Sequence, residues 1–380
     1  MASLQARHTR ACALGKPWAP FAASEGCTCR PTFYVVVREG KRLHRERVGK
    51  DRQTAERTLR KVGSQVDEGL YEPQKRIAFD AWAERWLEGL ERKKNTVRGY
   101  RSTIAYARRA FGHKQVRQVS VDDVKRLLAT MRDEGLSDST RAKHLRVLGA
   151  CFASAIESGC TARNPVRAVK SGDRPRPAKK ESAYFTADEL PPLFAKVEAG
   201  VYRVLFLAAL KTGMRLGELL ALTWGDVDLV GAVIRVRRSY TDGYLNTPKN
   251  HERRDVDLTD DLVELLGAWW GEIGSPDDDR LVFPGPTRSG YLNPKVVLVE
   301  LYAAMEAAGV ARVGPTGEKR TFHSWCHTHA KVALESGRPI SWLQRRLGHQ
   351  SITVTVDRYG HFERAARKRE TEAMAGAFGV

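Results

Sequence analysis

Five of the chain's ten histidines, His323, His327, His329, His349 and His361, fall between Thr321 and His361. That stretch, TFHSWCHTHAKVALESGRPISWLQRRLGHQSITVTVDRYGH, also holds one tyrosine, Tyr359, after a polar, Thr-rich segment. Ala330, Val332, Leu334, Ile340, Trp342, Leu343 and Leu347 recur between the histidines in an apolar helical pattern, so the polar groups hang on a packed helical frame. Gly337-Arg338-Pro339 breaks that pattern, and Gly348-His349 breaks it again. Two earlier segments add charge: TGMRLGELLALTWGDVDL (Thr212 to Leu229), with Arg215 and Glu218, and TPKNHERRDVDL (Thr247 to Leu258), with Lys249. Singly, each of these histidines and Tyr359 reads more readily as an ordinary surface or core residue, and it is their combination in one chain that changes those odds.

In this order the three segments resemble the boxes of the tyrosine recombinase (phage-type integrase) family. The likeness covers roughly residues 183–375 by motif and the N-terminal half by organisation alone. It implies that Tyr359, in DRYGH, is the nucleophile and forms a 3′-phosphotyrosyl ester, which conserves bond energy so that the strand rejoins without a cofactor. It implies that Arg215 is the first catalytic arginine, oriented by Glu218 one helical turn on. Lys249, at a tip between two expected strands, matches the general acid toward the 5′-oxygen. His323 matches the first residue of the second box, with His327 in support, and His349 in LGHQS matches the third-box histidine.

One position departs from that pattern. The family reads His-x-x-Arg-His; here the residues are His323-Ser324-Trp325-Cys326-His327, with the flanks in register. Cysteine is short and neutral and offers a phosphate no planar fork. By analogy with arginine fingers, such a loss costs on the order of 10³–10⁵ in rate, and the geometry disfavours compensation by Lys319 or Arg320. The expectation is a site-specific recombinase or integrase with impaired cleavage and retained DNA binding. Two rivals stay open: a DNA-binding recombinase-fold protein without catalysis, and a type IB topoisomerase-like enzyme.

The charge distribution fits a polyanionic partner. The formal net charge is +19. Lys+Arg exceed Asp+Glu by 15 to 8 over residues 1–75 and by 24 to 12 over 76–182, and the two balance at 25 each over 183–380. Excess confined to the N-terminal half points to nucleic acid before a membrane surface. No apolar run is long enough to span a bilayer and no secretory signal is evident. Six cysteines in 380 residues do not make a disulfide framework, so a reducing cytoplasm is the default; the resemblance implies a bacterial host cell.

The elements that must carry these groups read as a multidomain chain: a small α+β N-terminal domain, an all-α core-binding domain, and a mainly α catalytic domain with a small antiparallel sheet. Residues 1–31 lack periodicity and read as a leader, in which His8, Cys12, Cys27 and Cys29 are candidate ligands for a structural zinc. A hairpin over Thr32–Val48 and a helix from about Gln53 to Glu68 complete a domain over 1–72, similar to an arm-type DNA-binding domain. Helices at roughly Phe79–Lys93, Asn95–Phe111, Ser120–Gly135 and Asp138–Ser158 form the domain over 76–168. Arg98, Arg101, Arg108, Arg141, Lys143 and Arg146 recur there at helical spacing, as a phosphate-tracking face would. A Pro-rich basic linker over 169–182 contributes Arg174 and Arg176. The domain over 183–380 has helices Thr186–Val197 and Val201–Lys211, strands Ala232–Tyr240, Tyr244–Thr247 and Arg254–Leu258, and helices Asp260–Ile273 and Asn293–Ala308. The resemblance further implies a mobile-element owner, core and arm sites on double-stranded DNA, a homotetramer on DNA, a host DNA-bending protein and a directionality factor.

Overall fold

The computed structural model describes residues 2–9, 12, 18–20, 29–40, 42–69, 76–178, 180–247 and 253–362. The chain forms two compact units, Met1–Ala178 and Lys179–Val380.

The first unit begins with a four-stranded antiparallel sheet in the order β2-β1-β3-β4, made of β1 (Ala2–Arg7), β2 (Trp18–Pro20), β3 (Thr32–Glu39) and β4 (Arg42–Gly49). The expected hairpin is β3–β4. The expected leader instead supplies two further strands, with Leu4 paired to Val35 and Arg7 to both Thr32 and Trp18. Alternation drives this: Leu4, Ala6, Phe33, Val35 and Val37 face helix α1 (Arg52–Asp67), where they meet Ala55 and Val62. Asp51 caps α1 by accepting from the Thr54 N–H at 2.8 Å. Arg7, Tyr34, Arg45 and Arg47 line the other face with Trp18, whose ring lies 5.6 Å from the Arg7 guanidinium and 5.1 Å from that of Arg45.

Four helices follow: α2 (Phe79–Glu88), α3 (Lys94–Phe111), α4 (Val121–Asp133) and α5 (Asp138–Glu157). Phe79 joins three of them, with its ring 4.9 Å from Phe111 and 5.6 Å from Phe152. Ser120 and Asp123 form a capping box at α4, and Ser137 caps α5. The expected Asn95-Thr96 start is not used, since α3 begins at Lys94 without a side-chain cap. α2 stops at Glu88, short of the expected Lys93, where Gly89 closes the helix. The Pro-rich segment is not bare at its beginning. Arg174 donates to the carbonyls of Val169 and Arg167, each at 3.0 Å, and Asp173 pairs with Lys125 at 2.7 Å.

In the second unit, α6 (Leu190–Lys196) follows a Thr186–Glu189 capping box. Next come α7 (Val201–Thr212) and α8 (Leu216–Leu220). β5 (Val227–Asp228), β6 (Val233–Val236) and β9 (Arg254–Asp257) form one antiparallel sheet, while β7 (Ser239–Thr241) and β8 (Tyr244–Asn246) form a separate hairpin. The single strand expected over Ala232–Tyr240 is therefore two. Arg238 is held at the break, where its guanidinium donates to Thr223 Oγ1 at 2.7 Å and to the Asp226 carboxylate. Asp242 and Gly243, both with positive φ (50° and 81°), make the β7–β8 turn. Helices α9 (Asp260–Glu272), α10 (Pro294–Ala307), α11 (Ser324–Glu335) and α12 (Ile340–Leu347) complete the frame, with α13 over 352–362.

Trp325 anchors α11. It is wholly buried, with ring centroids 4.4 Å from Phe185, 5.4 Å from Phe194 and 5.9 Å from Phe206. Two glycines allow close approach around the first box. Gly213 ends α7 in the left-handed region (φ 69°), where a Cβ would meet His329 at 2.7 Å. A Cβ on Gly217 would lie 2.7 Å from Ser239 Oγ and 2.8 Å from the Tyr240 carbonyl oxygen. Gly217→Ala is therefore expected to destabilise the second unit by about 1–3 kcal/mol, as overpacking does. Urea unfolding of the full chain checks this, and an unchanged midpoint for that transition would contradict the packing described.

Candidate active site

The site is built on a buried carboxylate. Glu218 is only 2% exposed, on the short helix α8. Its Oε1 accepts from Arg215 Nη1 at 2.9 Å and from Arg254 Nη1 at 3.1 Å, and its Oε2 accepts from Arg254 Nη2 at 2.7 Å and from the Arg215 backbone N–H at 3.0 Å. Burial, which would raise the Glu218 pKa, is outweighed by the Arg254 hydrogen bonds and by the charges of Arg254 and Arg215, so the carboxyl lies below its ordinary range. Arg254 is spent on this pair and on the Arg346 carbonyl at 2.8 Å, whereas the Arg215 side chain keeps a quarter of its surface in solvent. Two guanidiniums on one carboxylate leave the cluster with a net positive charge.

α11 and the chain after α12 bring the remaining groups to this cluster. Gly348, in the left-handed region (φ 62°), ends α12; a Cβ there would meet the Arg254 guanidinium at 3.1 Å. His349 follows it, with Nδ1 2.9 Å from Thr355 Oγ1. Burial, then the charges of Arg215 and Arg358, lower the His349 pKa to about 4. The rings of His323 and His327 lie 4.5 Å apart. His327 Nδ1 lies 2.6 Å from the Tyr359 hydroxyl. Burial, then neighbouring His323 and Arg358, lower the His327 pKa to about 3. Burial, then the Cys326 thiol beside it, raise the Tyr359 pKa far above the ordinary phenol value. A neutral imidazole facing a protonated phenol fixes the bond's sense: Tyr359 O–H donates to His327 Nδ1.

The groups fall into two layers. His323 and Arg358 are exposed, with Arg215 and His349 half-buried, and Cys326, His327 and Tyr359 lie beneath them. Cys326 packs with Ala330, Leu343, Leu347 and Tyr359, and burial pushes its thiol up to about 11. At neutral pH it is therefore neither a nucleophile nor a cation. Arg320 does not compensate. It is 1% exposed and donates to the carbonyls of Tyr184 (3.0 Å) and Ala311 (2.8 Å) and to Glu189 (2.6 Å).

Arg215, Glu218, His323, Cys326, His327, His349 and Tyr359 thus converge from separate segments, whereas Lys249 lies outside the described residues. Arg254 and Arg358 belong to the cluster and were not singled out from sequence. The arginine doublet Arg253-Arg254 before β9 was the available signal for the first, and adjacency to Tyr359 for the second. His329 is structural, with Nδ1 3.0 Å from the Leu210 carbonyl oxygen and Nε2 3.2 Å from Arg346 Nε. Of the basic residues expected to face DNA, all but Arg141 are exposed: Arg98, Arg101, Arg108, Lys143, Arg146, Arg174 and Arg176. Arg101 pairs with Glu84 at 3.7 Å, Arg108 with Asp80 and Glu84, and Arg141, 14% exposed, with Asp138. Arg174 is taken up by the carbonyls named above. In the first unit, His8, Cys12 and Cys29 gather their ligand atoms within 4.8 Å of one another, and Cys27 lies outside the described residues.

The sequence matches the Phage integrase family over residues 183–365 and the Phage integrase, N-terminal SAM-like domain over 83–159. It is 28% identical over 306 residues to the putative prophage phiRv2 integrase of Mycobacterium tuberculosis, covering 78% of this chain and 77% of that one. It is 25% identical over 249 residues to the ICEBs1 integrase of Bacillus subtilis, covering 61% and 64%. Among solved structures, the fold is similar to that of the Tn1549 transposon integrase in complex with transposon right end DNA (TM-score 0.66, 19% identity, 79% of this chain and 100% of that one). It is also similar to the lambda integrase tetramer bound to a Holliday junction (TM-score 0.60, 21% identity, 86% and 92%). The fold is that of a multidomain helical protein with small sheets, and the family is one of DNA strand transferases. The chain belongs to the phage integrase family of tyrosine recombinases, the site-specific recombinases.

One buried and two half-buried imidazoles set an acid limit. His327, His329 and His349 lie at about 3, 4 and 4 in the fold, from an ordinary value of 6.5. The folded chain therefore binds fewer protons than the unfolded one between those values. This contribution is whole above pH 6.5 and is lost as pH falls toward 4. The denaturation midpoint of the second unit is expected to drop between about pH 6.5 and 5, with a slope approaching three protons. A midpoint flat across that range would contradict the burial of these rings.

Proposed function

We propose that Tyr359 attacks a DNA phosphodiester and becomes joined to the 3′-phosphate, while Arg215, His323 and His349 hold the non-bridging oxygens. The new O–P bond forms as the P–O5′ bond breaks, the phenolic proton passes to His327, and Lys249 supplies a proton to the departing 5′-oxygen. The observation that carries this reading is the convergence of the Glu218-bound Arg215, from the first segment, with His349 and the Tyr359 hydroxyl, from the last, in the order of the family's boxes. Tyr359 lies in the inner layer, 1% exposed, and moves outward to react. An arriving phosphate offsets the charge of Arg358, one of the charges that depress His327, and so favours proton transfer from the phenol. This chemistry uses no cofactor.

Around the site, the sheet face carrying Arg7, Trp18, Arg45 and Arg47 binds arm sites. The helical domain, through Arg98, Arg101, Lys143 and Arg146, grips the core site together with the catalytic domain. Four protomers join two duplexes, as the lambda integrase tetramer does on a Holliday junction, with a host DNA-bending protein and a directionality factor as partners. Domain limits of 1–72, 76–168 and 183–380 fit this division. Cys326, a neutral thiol where the family has a guanidinium, holds cleavage low while binding is retained. Its burial beside a Tyr359 still bonded to His327 also favours a second reading, a DNA binder that makes no covalent bond.

Covalent capture decides between them. Incubation with pooled genomic fragments carrying nicks, followed by denaturing gels and sequencing of the retained DNA, identifies the target and measures attachment. Cys326→Arg is expected to raise attachment by about 10³–10⁵, and Tyr359→Phe to abolish it in either background. Equal rates for the Cys326 chain and the Cys326→Arg variant would defeat the account of Cys326. Attachment that survives Tyr359→Phe would defeat the account of the nucleophile.

A further inference from the structure

His8, Cys12 and Cys29 lie far from the strand-transfer site in the chain, and nothing in that chemistry uses them. His8 directly follows β1 and is 5% exposed, Cys12 lies between β1 and β2, and Cys29 lies shortly before β3. His8 Nδ1 is 3.3 Å from Cys29 Sγ and 3.5 Å from Cys12 Sγ, and the three ligand atoms lie within 4.8 Å of one another. A tetrahedral zinc with Zn–S of about 2.3 Å and Zn–N of about 2.0–2.1 Å sets nitrogen and sulfur roughly 3.6 Å apart. Both N–S distances are close to that value, and the two sulfurs, within 4.8 Å of each other, would come to about 3.8 Å on a shared tetrahedral ion. One imidazole and two sulfurs form a soft donor set that favours zinc over magnesium or calcium.

The location gives such an ion a task. The ligands come from both segments that bracket β2, a three-residue edge strand held by the pairs Gln5–Pro20, Ala6–Ala19 and Arg7–Trp18. The core beneath the sheet is small, with Leu4, Ala6, Phe33, Val35, Val37, Ala55 and Val62 as its buried apolar residues, and small cores commonly need a staple. Trp18, on β2, stands against Tyr34 at 4.9 Å and between Arg7 and Arg45. We propose that His8, Cys12 and Cys29 bind a structural zinc ion that pins β2 and so fixes Trp18 on the basic face of the sheet. On binding, the two thiols lose their protons to solvent and the imidazole binds through Nδ1, so that two thiolates balance the charge of the ion. The proposal stands whether or not Tyr359 is the nucleophile.

The test is elemental analysis of the full chain purified under reducing conditions with zinc supplied. The expected content is about one zinc per chain. Cys12→Ser and Cys29→Ser should each lower it at least tenfold, while Cys160→Ser, in the helical domain, should leave it unchanged. Cobalt(II) added to the chelated wild type should give the visible bands of a tetrahedral thiolate-bound ion. If the serine variants fail to fold, the wild-type stoichiometry and the cobalt spectrum decide. A zinc-free wild type, a cobalt spectrum without thiolate character, or variants that keep their zinc would overturn the proposal.

Discussion

The bidentate grip of Arg254 on Glu218 is the interaction on which the rest of the site depends. A carboxylate buried to this degree is tolerated only when it is paired and its oxygens are satisfied, and Arg254 supplies that from β9, thirty-six residues away. With the carboxylate satisfied from behind, Arg215 is held by the same group yet keeps part of its guanidinium in solvent. The same Arg254 donates to the end of α12, so the place where His349 leaves that helix is tied to the position of Arg215. One buried anion thus sets three segments in register, and the pocket it organises is positive before any substrate arrives.

Against that charge, the proposed nucleophile is held in its least reactive form. Tyr359 is protonated, buried and bonded to an imidazole that burial keeps neutral. Cys326 contributes only apolar packing at this point. A guanidinium in its place would add a fourth cation beside Arg215, Arg254 and Arg358, lowering the cost of ionising the phenol. The proposed effect of Cys326 is electrostatic, since Trp325 packs α11 against Phe185 and Phe206.

What could be read from sequence was what local spacing encodes. Arg215 and Glu218 are three residues apart, the helix starts at Ser120 and Thr186 are capped by residues three positions on, and Gly348 marks a helix end. What could not be read depends on distant partners. β1 is made of Ala, Ser, Leu, Gln and Arg, poor strand formers, and becomes a strand by pairing with β3 some thirty residues later. The break between β6 and β7 comes from Arg238 reaching back to Thr223 and Asp226. Arg174 looked like a residue of a bare basic linker because composition cannot reveal that the carbonyls of Arg167 and Val169 lie within its reach. Arg254 escaped notice for the same reason.

The aromatic cage around Trp325 also bears on heredity. Because the stacking of Phe185, Phe194 and Phe206 fixes the backbone on which residue 326 stands, the groups that would surround an arginine there are already in place. Cysteine and arginine codons can differ by a single base. On the proposed reading of Cys326, the step between a neutral thiol and the family's guanidinium is thus as small as one base.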